Sequence, residues 1–174
     1  MRPESKHFLQ QLIETPSPSG DEVELQKLWI QYVEPFAHKI ETDVVGNVIA
    51  SVNPDKPFKV MLAGHCDEIA YMVSYIDSNG YVYVTKAGGI NPKLALGMTV
   101  KILGKKGVIK GIVGVKPEHQ GGPKDKVEVQ DLFIDCGARN KEEIEEYVSM
   151  GDYVIYDTNY EYLLNDVMVG RGLD

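Results

Sequence analysis

A short apolar run in the first half of the chain leads directly into side chains that could perform chemistry. Residues 60–63 are apolar, Gly64 follows, and His65, Cys66 and Asp67 come next. A buried strand over this run would hold the histidine at the carboxyl edge of an α/β sheet, where such sheets usually carry their functional groups. Because side chains alternate along an extended backbone, His65 and Asp67 share one side and Cys66 points away. Asp67 could then accept the second ring N–H of His65 and orient the imidazole as a metal ligand.

A His-x-Asp triplet also occurs in ordinary surface turns, and the other end of the chain favours the metal-site interpretation. Residues 167–169 form a second short apolar run, which passes through Gly170 and Gly172 to the carboxylate of Asp174. Each run thus continues through glycine to a potential metal ligand. We therefore expect His65 and Asp174 to point into one pocket at the carboxyl edge of the sheet, close enough for one ion to touch both.

Both segments resemble the metal motifs of a known enzyme family. Residues 64–73 are similar to the first metal motif of the tetrahedral (TET), glutamyl and deblocking aminopeptidases, a family of two-metal peptidases in which some members are labelled endoglucanase. Residues 170–174 resemble the segment that supplies the metal-bridging Asp of that family. Residues 110–119, 132–138 and 151–154 match in the same order and at about the same spacing. The resemblance covers the whole chain, which corresponds to the N-terminal half of the family.

The resemblance implies a role for three residues. His65 would bind one metal ion, Asp174 would bridge two ions, and Asp67 would serve at the catalytic centre by orienting His65. Two divalent ions are implied for the intact protein, with zinc as the default, while cobalt or manganese fit the same ligands. The implied reaction removes N-terminal residues from peptides, with a water that both ions activate. Glu68 lies on the opposite strand face and is expected to be structural.

The resemblance also implies an incomplete site. Family members are about twice as long, and their second half carries the general-base Glu, its neighbouring ligand Glu, a further carboxylate ligand and the last His. The 174 residues of this chain supply only His65, Asp67 and Asp174 of that set. We therefore expect the chain by itself to bind at most one metal ion, weakly, and to lack measurable aminopeptidase turnover.

Two other functions stay open at this point. The chain could be a non-catalytic assembly module, in which its β-rich region associates with copies of itself or with an intact homologue. It could also be a glycan hydrolase, as labels within the family suggest. Glycosidases need two catalytic carboxylates that flank a sugar cleft, and the sequence shows no such constellation beyond the metal motifs.

Composition excludes several classes of partner. The net charge is −8, and Lys and Arg form no run longer than Lys105-Lys106, which argues against binding to nucleic acid. No stretch approaches the roughly 18 apolar residues of a membrane span, and the first residues lack the apolar region of a signal peptide. Cys66 and Cys136 are far apart in the sequence and are interpreted as free thiols, which favours the cytoplasm.

The pattern of apolar residues predicts helices first and strands afterwards. Helical spacing over residues 8–13 predicts a first helix, which the prolines of residues 15–18 end. Residues 19–22 fit a capping box that opens a second helix over residues 25–33. Strands are predicted at 39–42 and 48–51 and in the run that ends at His65, which together indicate the start of an α/β layer.

Residue 68 marks a change to short β-rich segments and turns, including a hairpin at Asn79-Gly80. The predicted fold is a three-layer α/β aminopeptidase-like domain, incomplete in this chain, with an inserted small all-β domain of barrel or PDZ-like form. Residues 1–68 form the first part of the α/β domain, 69–163 the insertion, and 164–174 the return to the α/β domain.

The inserted β domain is expected to mediate self-association. The equivalent domain mediates dimerisation in relatives, and short antiparallel insertions leave unpaired strand edges that must be covered. The resemblance thus implies a dimer, with a dodecamer as a further possibility for the intact protein, and peptides as substrates.

Overall fold

The computed structural model describes residues 1–123, 126–158 and 160–173, which divide into two compact units. The terminal unit joins Met1–Glu68 with Tyr160–Asp174, and the barrel unit is Ile69–Asn159. The α-helices are α1 Pro3–Glu14, α2 Val23–Val33 and α3 Lys141–Glu145. The strands are β1 Lys39–Thr42, β2 Val48–Ser51, β3 Ala70–Ile76, β4 Val82–Ala87, β5 Thr99–Gly104, β6 Gly107–Val115, β7 Leu132–Asp135, β8 Tyr153–Tyr156, β9 Glu161–Tyr162 and β10 Met168–Val169. No helix in the described ranges is long and apolar enough to cross a bilayer.

The first two helices form where the apolar spacing predicts them. Pro3 occupies the first turn of α1, where its missing N–H removes no helical hydrogen bond. The rings of Phe8 and Tyr32 stack in parallel with their centroids 3.6 Å apart, and this contact packs α1 against α2. Ile13 and Leu25 are the buried residues of the two helices.

The predicted capping box at the start of α2 is wrong. The N-cap is Glu22, and no side-chain hydrogen bond caps the helix there. The hydroxyl of Ser19 donates to the carboxylate of Asp67 instead, and the Glu22 carboxylate accepts from the backbone N–H of Gly20 at 2.6 Å. Hydrogen bonds to a charged acceptor are stronger than neutral ones, which explains why Ser19 turns away from the helix end.

The predicted buried strand before His65 is also absent. Residues 59–67 have no regular secondary structure, and the side chains of Val60, Met61 and Leu62 are 73%, 86% and 93% exposed. A strand needs a neighbour that pairs its backbone groups and covers its side chains. Within residues 1–123, 126–158 and 160–173, no strand pairs with this run, so it stays irregular and its side chains stay exposed.

The second motif segment forms a strand but joins a different partner. β10 pairs with β9 in an antiparallel two-stranded ribbon, with Met168 opposite Tyr162. β1 and β2 form a separate antiparallel hairpin. The described residues therefore form no sheet that contains both motif segments, and the expectation of a shared sheet edge is wrong for this part of the chain.

The barrel unit is a closed, six-stranded antiparallel barrel in the order β3-β4-β7-β6-β5-β8. Aliphatic side chains alternate into its interior, where Ile102, Leu132 and Ile134 have no exposed surface. Asn79-Gly80 forms the predicted hairpin between β3 and β4, with a positive φ of 88° at Gly80. Closure pairs the barrel strands on both sides, so the expectation that unpaired edges drive self-association is wrong.

Asp157 ties three strands of the barrel together. This residue follows β8 and accepts from Lys101 Nζ of β5 and Lys110 Nζ of β6, each at 2.7 Å. Its side chain is nearly buried, and its backbone N–H donates to Thr99 O at 2.9 Å. The hydrogen bonds from Lys101 and then Lys110 lower the pKa of Asp157, so the carboxylate is ionised at neutral pH.

Replacing this carboxylate should weaken the barrel in a pH-dependent way. We expect Asp157→Asn to lower the free energy of unfolding at neutral pH by about 1–2 kcal/mol. A carboxylate with a lowered native pKa stabilises above its unfolded pKa of about 3.9, and the stabilisation is lost as pH falls through the native value. The difference between wild type and variant should therefore shrink below about pH 4.

Urea unfolding followed by tyrosine fluorescence measures this difference, because the single tryptophan, Trp29, lies in the terminal unit and reports on it separately. Glu146→Gln is the matched control, since Glu146 forms an exposed ion pair with Lys106 at 3.3 Å. A loss of stability that does not change with pH would contradict the assigned role of Asp157.

Candidate functional site

His65 and Asp67 are in contact in the structure. Nδ1 of His65 lies 2.8 Å from Oδ1 of Asp67, and the imidazole is 64% exposed. A carboxylate can only accept, so Nδ1 donates its N–H to Asp67, and in the neutral form of the ring Nε2 is then the nitrogen with a lone pair. The contact thus fixes the orientation of the ring and leaves Nε2 as its acceptor nitrogen, an arrangement that is common at metal-binding histidines.

Ser19 extends this contact into a chain of three side chains. Its hydroxyl donates to Oδ2 of Asp67, while Oδ1 of the same carboxylate faces His65. The hydrogen bond from Ser19 is the largest cause of the lowered pKa of Asp67, and the contact with His65 lowers it further. Asp67 is therefore a carboxylate at neutral pH and can accept from both neighbours.

The turn between α1 and α2 holds the backbone of the motif. Ser17 Oγ donates to Cys66 O at 2.8 Å, and the backbone N–H of Glu68 donates to Ser17 O at 2.8 Å. The backbone N–H of Ser19 donates to Glu68 O at 3.2 Å, and Pro18 pairs with Glu68 as an isolated parallel bridge. The sequence pattern predicts here only the end of one helix and the capped start of the next. The role of this turn depends on partners about 50 residues away, and no local pattern in the sequence signals them.

Glu68 is buried and paired with a residue of the second motif segment. Its side chain is 6% exposed and forms an ion pair with Arg171, whose side chain is 8% exposed. Oε1 of Glu68 also accepts from the backbone N–H of Ser17 at 3.0 Å. Alternation predicts that Glu68 faces away from His65, whereas no pattern in the sequence assigns a role to Arg171.

The other predicted site residues are placed less completely. Asp174 lies outside the described residues. Cys66 faces α2, where its Sγ lies 3.8 Å from Nε2 of Gln26, and burial raises the pKa of its thiol. The described ranges contain no group of three His, Cys, Asp or Glu side chains that could hold a metal ion. Of the three predicted site residues, the structure therefore brings together His65, the predicted ligand, and Asp67, which is predicted to orient it.

Comparison with known proteins identifies the class to which this arrangement belongs. Residues 46–174 match the family model of the M42 glutamyl aminopeptidases. The match includes both motif segments and the barrel unit between them. The chain therefore belongs to the M42 glutamyl aminopeptidase family.

Individual relatives agree with this assignment. FrvX of Escherichia coli K12 is 35% identical over 172 residues, which cover 96% of this chain and 48% of that protein. The lysyl aminopeptidase of Pyrococcus furiosus is 35% identical over 147 residues, which cover 80% of this chain and 41% of the relative. The chain thus spans about half the length, or less, of these curated relatives.

Solved structures share the fold. A TET aminopeptidase from the marine sediment archaeon Thaumarchaeota archaeon SCGC AB-539-E09 superposes with a TM-score of 0.87 at 34% identity, covering 94% of this chain and 47% of that one. PhTET1-12s, solved as a dodecamer, gives 0.84 at 29% identity, covering 97% and 50%. A Thermotoga maritima protein named endoglucanase gives 0.80 at 30% identity, covering 95% and 49%. An aminopeptidase-like fold is the common feature.

The tautomer of His65 should depend on Asp67. In the wild-type chain, we expect neutral His65 to carry its proton on Nδ1, because the carboxylate fixes it there. Asp67→Ala should remove this preference without unfolding the terminal unit. Ser19→Ala should have a smaller effect, because it frees only the second oxygen of the same carboxylate.

Correlation spectra of the ring nitrogens and their carbon-bound protons measure the tautomer directly. His119, which lies in the barrel unit, serves as an internal control that neither variant should alter. If His65 kept the Nδ1–H form in Asp67→Ala, the orienting role of Asp67 would be wrong.

Proposed function

We propose that this chain carries the first half of the active site of a metal-dependent aminopeptidase that removes N-terminal residues from peptides. The observation that supports the proposal is the chain of contacts from Ser19 through Asp67 to His65. Asp67 and His65 lie in the segment that matches the family model. These contacts present a single imidazole nitrogen with a fixed tautomer, as is common at metal-binding histidines.

In this proposal, each residue has a distinct part. His65 holds one ion through Nε2, Asp67 orients the imidazole, and Asp174 bridges two ions. The ions, zinc by default or alternatively cobalt or manganese, would lower the pKa of a shared water and polarise the scissile carbonyl. Ser19 keeps Asp67 ionised and in place, which leaves the imidazole one orientation.

The described residues supply one proposed metal-binding atom, Nε2 of His65, and one ligand is not a complete metal site. Since these ranges hold no cluster of three metal-binding side chains, further ligands and the general base must be supplied by other residues. We propose that the segment that relatives carry beyond the matched half supplies them.

The terminal unit would then be part of a three-layer α/β domain into which the barrel unit is inserted. The uncovered apolar run at residues 60–62 supports this view, because a strand of that domain would be covered.

The proposal is tested by measuring aminopeptidase activity of this chain alone and of the chain joined to the second half of a relative. We expect the 174-residue chain of verified mass to show no hydrolysis of aminoacyl chromogenic substrates with zinc or cobalt. A fusion of this chain to the remaining half of the Pyrococcus furiosus relative should gain chelator-sensitive hydrolysis. The His65→Ala version of the fusion is the matched control and should be inactive.

Two results would contradict the proposal. Turnover by the pure chain alone, abolished by a chelator, would mean that a carboxylate assigned a structural role is the base. Sugar release from a soluble glucan by the fusion, without peptide hydrolysis, would favour the glycan hydrolase instead.

We further propose that the barrel unit associates with a second copy of itself in the cytoplasm. PhTET1-12s was solved as a dodecamer and TET1 of Pyrococcus horikoshii assembles into a tetrahedron or an octahedral shell, which supports association. Since the barrel has no free edge, the contact would use side chains on its outer face, where Val108 and Ile112 are exposed. The free thiols Cys66 and Cys136 suit a reducing compartment.

Light scattering checks the association. We expect the folded chain to form dimers at micromolar concentration, because burial of an exposed apolar face favours association. Val108→Lys, which puts a charge on that face, should shift the equilibrium toward monomer, whereas Lys56→Glu in the terminal unit serves as a control that should not. Monomer alone across the whole concentration range would contradict self-association.

A further inference from the structure

We infer that the buried ion pair between Glu68 and Arg171 positions the two motif segments of the metal site relative to each other. This inference rests on the proposed metal site and goes beyond it, because neither residue is a ligand. Glu68 follows Asp67 directly, and Arg171 lies three residues before Asp174. The pair would therefore control the geometry of ligands that it does not itself touch.

The ion pair joins two segments that share no sheet within the described part of the chain. The run before Glu68 has no regular secondary structure, and β10 before Arg171 pairs only with β9 among the described strands. The guanidinium of Arg171 donates through Nη1 to Oε1 of Glu68. A side-chain contact thus performs the joining function that backbone pairing performs within a sheet.

Arg171 also reaches the end of the first helix. Its Nη2 donates to Glu14 O at 3.0 Å, one of the last carbonyls of α1, which have no partner within the helix. Glu68 in turn accepts from the backbone N–H of Ser17, in the turn that follows α1. One planar guanidinium therefore fixes the helix end and the motif together, a geometry that the single ammonium of lysine does not reproduce.

The backbone before Arg171 is fixed independently. A Cβ added at Gly170 would lie 2.7 Å from Cγ2 of Ile13, so only glycine fits this close approach to α1. Ile13 is itself 5% exposed. The close approach to Ile13 therefore restricts the position of the backbone at Gly170. From this position the Arg171 side chain reaches Glu68.

A purely structural role predicts a different outcome from a positioning role. Buried ion pairs contribute little to net stability, because desolvation offsets much of their attraction, and an uncharged pair often substitutes without loss of folding. If the pair serves only to fold the unit, an uncharged replacement that folds should bind metal normally. If it positions the ligand segments, such a replacement should fold and yet bind metal more weakly.

The experiment measures zinc affinity of the full chain by competition with a chromophoric chelator. The test variant is Glu68→Gln/Arg171→Met, which removes both charges and so leaves neither buried alone. We expect its zinc affinity to fall about 10- to 100-fold, as for other residues that orient ligands, while the Trp29 unfolding transition is retained. Cobalt should show a changed absorption spectrum in the same variant. His65→Ala gives the baseline for binding elsewhere.

The matched control removes an exposed ion pair from the same unit. Glu24→Gln/Lys27→Met eliminates the pair on α2, in which Lys27 Nζ lies 2.7 Å from Glu24, and should leave zinc affinity unchanged. Arg171→Lys keeps the positive charge but cannot contact Glu68 and Glu14 O through two separate nitrogens. We therefore expect its zinc affinity to lie between those of the wild type and the double variant.

Each outcome decides the inference. Wild-type zinc affinity in the folded double variant would overturn it and leave the metal site standing. Zinc binding by the wild type that is no stronger than in His65→Ala would overturn the inference, whereas the proposed function is decided separately by peptide hydrolysis in the fusion. If the double variant fails to fold, Arg171→Lys and Glu68→Gln take its place, and wild-type affinity in both would overturn the inference.

Discussion

The conformation of the segment from His65 to Glu68 depends on hydrogen bonds from the turn between the two helices. Buried backbone groups must find partners, and this segment has no neighbouring strand among the described residues to provide them. Ser17 and Ser19 supply those partners through both their backbone and their hydroxyl groups. A turn that looks like a simple helix break is therefore the scaffold for the residues that could bind metal.

Different interactions stabilise the two units. The barrel unit is closed, so each of its strands has partners on both sides and its core of aliphatic side chains is fully enclosed. The terminal unit has two helices and two short strand pairs, and specific polar contacts hold its irregular segments. Substitutions in the barrel should act mainly through packing, whereas those in the terminal unit should act through individual hydrogen bonds.

Local patterns in the sequence predicted what depends on neighbours in the chain. Helical spacing located α1 and α2, the Asn79-Gly80 signal located a barrel hairpin, and alternation placed His65 beside Asp67. The strand before His65 was predicted wrongly, because a strand requires a partner that periodicity does not reveal. The contacts of Ser19 with Asp67 and of Arg171 with Glu68 span 48 and 103 residues, so no window of sequence could show them.

The exposed run at residues 60–62 has a consequence for how the site is completed. Leu62 precedes His65 by three residues, and three residues of extended chain span roughly 10 Å. A polypeptide that shields Leu62 from water would therefore lie close to His65. Under the proposed function, burial of these apolar side chains and delivery of further ligands would occur in a single event.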